Sequence, residues 1–517
     1  MTSSRAHEPA PAPTLAPTST SDAPAGDAPV ADAPVVDHAD ASPRRWWILI
    51  ILALTQLVIV LDGTIVNIAL PQAQIELGLT DVQRQWVVTA YALAFGALLL
   101  LGGRIADYWG RKRTFLVGMV GFGAASAIAG FAPSAEILIA GRGLQGVFAA
   151  LMAPAALALL TVTFPSGRER NTAFAIFGTV AGVGAAVGLL LGGVLTEFAD
   201  WRWCLWVNVP VAVVALIAGQ MVMTESRADG ENRYDVLGAI TVVLGLGALV
   251  YGFTLAEEGW GHVETWAFLI AGVLLLALFV RIESRVAQPL LPLRIVTDRV
   301  RGGVFLLQGL TGSVMIGAML YLTLHLQIVL GFGPLEAGLA SLPMTATIMM
   351  VVPLATNLLL PRVGPRPLMI AGPLVSAVAL VWLSRITAGG SYAVEILPGL
   401  IVLGIGMAML FVTMQNVALV GVAPHDAGAA SATVNAAMQI GGSIGLALFT
   451  SFYASAVRAT AVASEADQLG AFVNGYSAVF IASGVGMVIA AAIAFVMVRG
   501  TKEQLLPTDA PAVAHVG

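Results

Sequence analysis

Charge is scarce in this chain. Only 11% of its 517 residues are Asp, Glu, Lys or Arg, less than half of the roughly 25% carried by soluble domains. Cysteine is nearly absent: Cys204 stands alone, which excludes an intrachain disulfide and any multi-cysteine metal site. Lysine occurs twice, as Lys112 and Lys502, and no basic patch suggests a nucleic acid. The six histidines show no ligand spacing. No G-x-x-x-x-G-K-[ST] loop occurs, so nothing points to ATP as a direct energy source. No nucleophile triad is legible, and the chain is not expected to be an enzyme or to carry a cofactor. What is abundant is apolar: 58% of residues and a mean hydropathy of +0.88. About 20 apolar residues span a bilayer, and this sequence holds many such runs.

The net charge of -5 belongs to the first 43 residues, which hold Arg5 against Glu8, Asp22, Asp27, Asp32, Asp37 and Asp40. This Ala-, Pro- and Asp-rich segment cannot bury enough apolar surface to order itself. It lacks the basic start and short apolar core of a signal peptide. The stretch after about Gly500 reads the same way.

Between the tails lie fourteen candidate spans, near 46–69, 84–103, 114–132, 136–162, 172–195, 203–223, 236–256, 264–283, 303–329, 337–360, 367–385, 394–419, 428–453 and 476–498. Lys and Arg favour cytoplasmic loops. With a cytoplasmic N-terminus, alternation leaves Arg84, Arg202, Arg385 and Arg458 outside, Arg142 in the membrane and all other basic residues inside. An early error of one span would scramble that split, so an all-α polytopic membrane protein with both termini cytoplasmic is expected. A weak repeat aligns Asp107–Gly118 with Pro361–Gly372, setting Gly110 on Gly364, Lys112 on Arg366 and Gly118 on Gly372. The expected organisation is a tail (1–45), a six-helix half (46–225), two inserted helices with a linker (226–302), a second half (303–499) and a tail (500–517). Repeated halves rocking about a central site are the usual build of secondary transporters.

Two ionisable residues lie alone inside apolar runs: Asp62 in span 1 and Arg142 in span 4. Ionisable groups at membrane depth mark ion or substrate pathways by default. Asp62 precedes Pro71 by nine residues, about 13 Å of helix, and Arg142 lies about 9 Å in from Glu136. Both fall in the outer half, where they can pair. Burial disfavours the carboxylate and a nearby Arg favours it, and the balance makes a proton switch. A static ion pair holding helices together is the alternative. Gln145 lies one turn from Arg142 and would orient it, touch substrate or bond a neighbouring helix. Asn67 and Gln327 are the other polar candidates for a substrate cavity; His325 reads first as a packed or hydrogen-bonded residue, with substrate contact as its alternative. Thr413, Gln415, Asn416, Asn435 and Gln439 read more simply as interhelical hydrogen-bonding groups.

Gly103-Arg-Ile-Ala-Asp-Tyr-Trp-Gly-Arg-Lys-Arg113 resembles the G-x-L-x-D-R-x-G-R-[KR] signature of the major facilitator superfamily, with Tyr108 replacing the usual Arg. Gly103, Asp107, Gly110, Arg111 and Lys112 would then form a conformational motif. The resemblance places Asp107 against the N-terminus of span 13, near Asp426-Ala-Gly428. Arg142-Gly-Leu-Gln-Gly146 resembles the family's R-x-x-Q-G motif, whose Arg is linked to proton transfer. Gly184, Gly188, Gly192 and Gly193 resemble an antiporter motif found in exporters, although Leu189 replaces its Pro. Their spacing also makes a small-residue face on which another helix can pack closely.

With fourteen spans, Leu61–Pro71, Trp201–Pro210 and Gln327–Pro334, the chain is similar to the fourteen-spanner drug:proton antiporter family. The likeness implies export of amphiphilic, often cationic, compounds in exchange for protons, by a monomer in a bacterial cell membrane. The Ala and Arg bias hints at a GC-rich bacterium. An exporter of an endogenous lipid or metabolite, proton-coupled uptake and a transport-inactive sensor are the alternatives.

Overall fold

The computed structural model describes residues 44–164, 167–228, 235–257, 259–422, 427–460 and 464–506. Residues 1–43 and 507–517, which hold nearly all of the predicted N-terminal tail and the greater part of the C-terminal one, lie outside them. Among the described residues, fourteen helices are long and apolar enough to cross a membrane. They are α1 (Arg44–Leu77), α2 (Asp81–Trp109), α3 (Arg111–Gly130), α4 (Ala135–Thr163), α5 (Arg168–Phe198), α6 (Trp203–Val222), α7 (Val236–Leu255), α8 (Val263–Glu283), α9 (Arg299–Val329), α10 (Pro334–Val363), α11 (Pro365–Leu383), α12 (Tyr392–Leu419), α13 (Gly428–Arg458) and α14 (Asp467–Met497). The helix satisfies every backbone group internally, which is what an apolar solvent demands.

The predicted ends err mainly by being too short. α1 continues past residue 69 through Pro71 to Leu77. α2 starts at Asp81 because Thr80 and Gln83 form a reciprocal capping box that satisfies two of its free N–H groups. The stretch after Gly500 is also corrected. Thr501 and Gln504 cap a short helix, Lys502–Leu505, and Leu505 is buried. Lys502 Nζ donates to the Pro361 carbonyl at the end of α10.

The sequence repeat appears as repeated geometry. Gly110 and Gly364 both take positive φ, 127° and 78°, at the α2–α3 and α10–α11 turns, where a Cβ would be strained. Lys112 Nζ donates to the carbonyls of Gln220 and Met223 at the end of α6, and Arg366 Nη2 to that of Phe495 at the end of α14. A cation on the last carbonyls of a helix is favoured by its dipole. Gly118 lets α3 approach Met152 of α4, and Gly372 lets α11 approach the Gly406 carbonyl of α12.

The α7–α8 hairpin packs across the seam between α2 and α13. Gln85 Nε2 of α2 donates to Thr254 Oγ1 of α7 at 3.3 Å, and Ser451 Oγ of α13 to the Ala256 carbonyl at 3.1 Å. Beneath it α2 meets α13 where Gly96 lies against Gln439 and Ile440, and α13 crosses α9 through Gly441 and Gly309.

On the side that the basic loops assign to the exterior, the ends are tied together. Gln327 Nε2 of α9 donates to the Ile68 carbonyl of α1 at 3.1 Å. The Leu335 N–H at the start of α10 donates to Glu197 Oε2 of α5 at 2.9 Å, a carboxylate on a helix N-terminus. Gly193 and Gly338 let α5 and α10 touch backbone to backbone there. Toward the cytoplasmic end α10 turns exposed, at Met349, Met350, Leu354 and Leu358. The structure is closed outward.

Candidate functional site

Asp62 and Arg142 meet. Arg142 Nη1 lies 2.5 Å from Asp62 Oδ2, and the two side chains are 1% and 0% exposed. Helix periodicity explains the meeting: α4 buries Leu138, Gly141, Arg142 and Gln145 as one stripe, and α1 buries Asp62 between Leu61 and Ile65. Gly146 has no side chain to hold α4 away from the Tyr91 carbonyl of α2.

The rest of the network saturates the pair. Arg142 Nε donates to the Val87 carbonyl at 3.2 Å, its Nη1 also to Gln145 Oε1 at 2.8 Å, and its Cζ sits 4.4 Å above the Tyr91 ring. Asp62 Oδ1 accepts from Gln145 Nε2 at 3.0 Å and from Asn208 Nδ2 at 2.8 Å. Gln145 Nε2 also donates to Ser126 Oγ at 2.7 Å. Helices α1, α2, α3, α4 and α6 thus converge on one buried charge pair. Outside it lies a cavity of about 10 Å³ lined by Val66, Ala69, Val87, Leu138, Cys204 and Arg142 among others. Its lining is apolar apart from Arg142, and its size is about the least that holds one water.

Glycines set the distance between α5 and α1. A Cβ at Gly188 would meet Thr64 Oγ1 and the Leu61 carbonyl, and one at Gly192 would meet Ile65. Both contacts fall on the turn of α1 that carries Asp62. Gly184 faces Leu57 and Val60, whereas Gly193 faces Pro334 and Leu335 of α10. The glycine face therefore serves two partners, one in each half.

The expected substrate-cavity residues separate. Gln145 is buried and committed to Asp62, Arg142 and Ser126, so it orients the pair instead of lining a cavity. Gln327 belongs to the outer tie. His325 is fully buried, edge-on to Tyr476 at 5.9 Å, because an apolar Leu-rich stretch of α9 carries it into the second half's core. Asn67 is half-buried, and its Oδ1 is buried with no partner.

Asp107 lies at the cytoplasmic end of α2. Its carboxylate pairs with Arg111 at 3.1 Å, one turn on in the same motif. The expected partner segment around Asp426 lies outside the described residues. The anion that does cap a helix here is Glu225, whose oxygens accept from the Lys112 and Arg113 N–H groups at the start of α3. Gly110 leaves room for that carboxylate, and Gly103 faces Pro154 of α4.

Asn208, Ser126 and Tyr91 were missed by the sequence analysis. Asn208 was the most findable, a lone amide two residues before Pro210 in an apolar run. Asn208→Ala removes one of the donors to the Asp62 carboxylate, a hydrogen bond to a charged group worth about 1.5–3 kcal/mol. Slower transport in vesicles and a lower thermal unfolding midpoint are expected.

Comparison with known proteins gives the same class of molecule. The chain is 44% identical to the puromycin resistance protein pur8 of Streptomyces alboniger, over 91% of this chain and 95% of that one. It is 34% identical to a tetracenomycin C resistance and export protein of Streptomyces glaucescens, covering 85% and 80%. With the multidrug efflux pump LfrA of Mycolicibacterium smegmatis the identity is 32%, covering 80% and 83%. Among solved structures, the POT family transporter PepTSo superposes with a TM-score of 0.63 at 15% identity, covering 87% and 98%. A bacterial homologue of the human lysosomal transporter Spinster gives 0.60 at 16% identity, covering 90% and 99%. At those identities the likeness is one of fold. The family described as Major Facilitator Superfamily matches residues 52–446, and, in keeping with its membrane-length helices and repeated turns, the chain belongs to that superfamily of membrane transporters.

Proposed function

We propose that this protein exports amphiphilic drugs or antibiotics across the bacterial cell membrane in exchange for protons, with Asp62 as the proton-carrying group. The observation that carries this reading is the saturation of Asp62. Its two oxygens accept from Arg142, Gln145 and Asn208 in a buried site, so a proton arriving on the carboxylate cancels the charge that holds the network. Nothing comparable is needed by a sensor or a scaffold. Resistance and export proteins for puromycin, tetracenomycin C and cephamycin among the relatives support the substrate class.

The order of events follows from the charges. With the outside closed, Arg142 pairs with ionised Asp62. In that state the proton has been given up to the cytoplasm. Substrate then enters from the cytoplasm or inner leaflet. Opening the outer tie admits an external proton to Asp62, the ion pair with Arg142 dissolves, and substrate leaves outward. Charge neutralisation lowers the cost of re-burying the site on the return.

Expression in a drug-hypersensitive bacterium tests the substrate class. Raised tolerance and reduced cell loading are expected for several amphiphilic antibiotics or dyes. Unchanged tolerance together with transport of a single endogenous lipid or metabolite would move the reading to a narrow exporter.

A further inference from the structure

The inserted α7–α8 hairpin ends, on the cytoplasmic side, in two carboxylates that the export reading does not use. Asp235 caps α7, its Oδ1 accepting from the Gly238 N–H at 2.8 Å. Glu283 closes α8, its Oε2 accepting from the Leu291 N–H at 3.0 Å. They are 5% and 3% exposed. The second oxygen of each, Asp235 Oδ2 and Glu283 Oε1, is buried with no hydrogen-bond donor. Those two oxygens converge: both crowd the same side of Gly238, where even a methyl group would collide with each of them. The Glu283 carboxyl lies against that of Asp235 and within the field of Arg104 from α2.

Two buried carboxylates facing each other cannot both ionise cheaply. Arg104 is the nearby cation, but its Nη2 is given to the Pro289 carbonyl at 2.9 Å and its Nη1 points to the Tyr108 hydroxyl at 3.5 Å. A divalent metal ion would want about six or more oxygens, and only two are free. A proton needs no more than those two. We infer that Asp235 and Glu283 hold one proton between them, a proton-binding site on the cytoplasmic side that is separate from Asp62.

The shared proton turns a repulsion into a hydrogen bond that fastens the start of α7 to the end of α8. Its loss leaves two facing negative charges beside Arg104. The α7–α8 hairpin, which spans the seam between α2 and α13, is then free to loosen at its cytoplasmic end. The protein thus carries a second titrating group tied, through Arg104 and Pro289, to the helix that bears the Gly103–Arg113 motif.

The test counts protons and does not depend on transport. Purified full-length protein in lipid nanodiscs is titrated from about pH 5 to about pH 9, with proton uptake and the carboxylic C=O infrared band followed together. Wild type and Asp62→Asn are both expected to show a protonated-carboxyl band that Glu283→Gln and Asp235→Asn each remove. Each of those two variants should take up about one proton fewer. Both are near-isosteric amides that mimic the protonated partner, so both should fold, and either suffices. An unchanged band and proton count in either folded variant would overturn the inference. So would a band that responds to Ca²⁺ or Mg²⁺ at fixed pH and not to pH. Because Asp62→Asn is carried in parallel, failure of the Asp62 reading leaves this result standing.

Discussion

Replacing Arg142 by Ala is expected to abolish export and to destabilise the protein by about 3–5 kcal/mol, the usual cost of removing one partner of a buried ion pair. The change strands Asp62 and frees the Gln145 carbonyl at once, since Arg142 serves both, and it leaves the Tyr91 ring without the guanidinium stacked on it. Thermal unfolding in detergent measures the first effect and dye efflux from loaded vesicles the second. Arg142→Lys separates charge from geometry. A lysine restores the positive charge but is a point donor without the planar fork, so it cannot reach Asp62, Gln145 and the Val87 carbonyl together. Each hydrogen bond to a charged group contributes about 1.5–3 kcal/mol, so the Lys variant should fold yet transport at least about tenfold more slowly. Full activity in Arg142→Lys would mean that charge alone suffices.

The second large effect is steric. Gly188→Val should force α5 away from α1, because a Cβ there already meets Thr64 Oγ1 and lies 3.2 Å from the Leu61 carbonyl. Overpacking of this kind costs about 1–3 kcal/mol, and the strain falls on residues flanking Asp62. Export should be lost even where the variant still inserts. The same helix supplies controls on and off that face. At Gly182 a Cβ meets nothing within 4 Å, and at Gly184 its nearest neighbour is Leu57 at 3.3 Å. The expected series in vesicle efflux is therefore Gly182→Val near wild type, Gly184→Val weakened and Gly188→Val inactive. An inactive Gly182→Val would mean that helix bulk, not the α1 contact, is what matters.

The helices and the repeat were legible because their signals are local. Long apolar runs, charge asymmetry between loops and a shared glycine at each turn need no tertiary information, and Gly110 and Gly364 duly share a positive φ. The Asp62–Arg142 pair was legible because both residues violate the apolar rule at similar depth. Polar residues that obey local rules were harder. Gln145, His325 and Gln327 all sit inside spans, and only the packing of α1, α3 and α14 around them decides which is committed to the ion pair, which is buried beside Tyr476 and which ties the outer ends. Asp107 pairs with Arg111, the cation one turn on in its own motif, a neighbour that the helix period alone makes legible. The Asp235–Glu283 approach was invisible because each residue lies at a span boundary, where a carboxylate is unremarkable until the folded hairpin brings the two together.

Asp62 is the residue assigned to carry the exchanged proton. The most direct measurement is substrate-evoked proton movement in proteoliposomes holding the full-length protein, with a pH-sensitive dye trapped inside, for wild type and Asp62→Asn at equal insertion. Wild type should move protons opposite to an added amphiphilic substrate. Asp62→Asn should bind the same substrate, by tryptophan fluorescence, and move no protons. Equal proton movement by the two proteins would contradict the account.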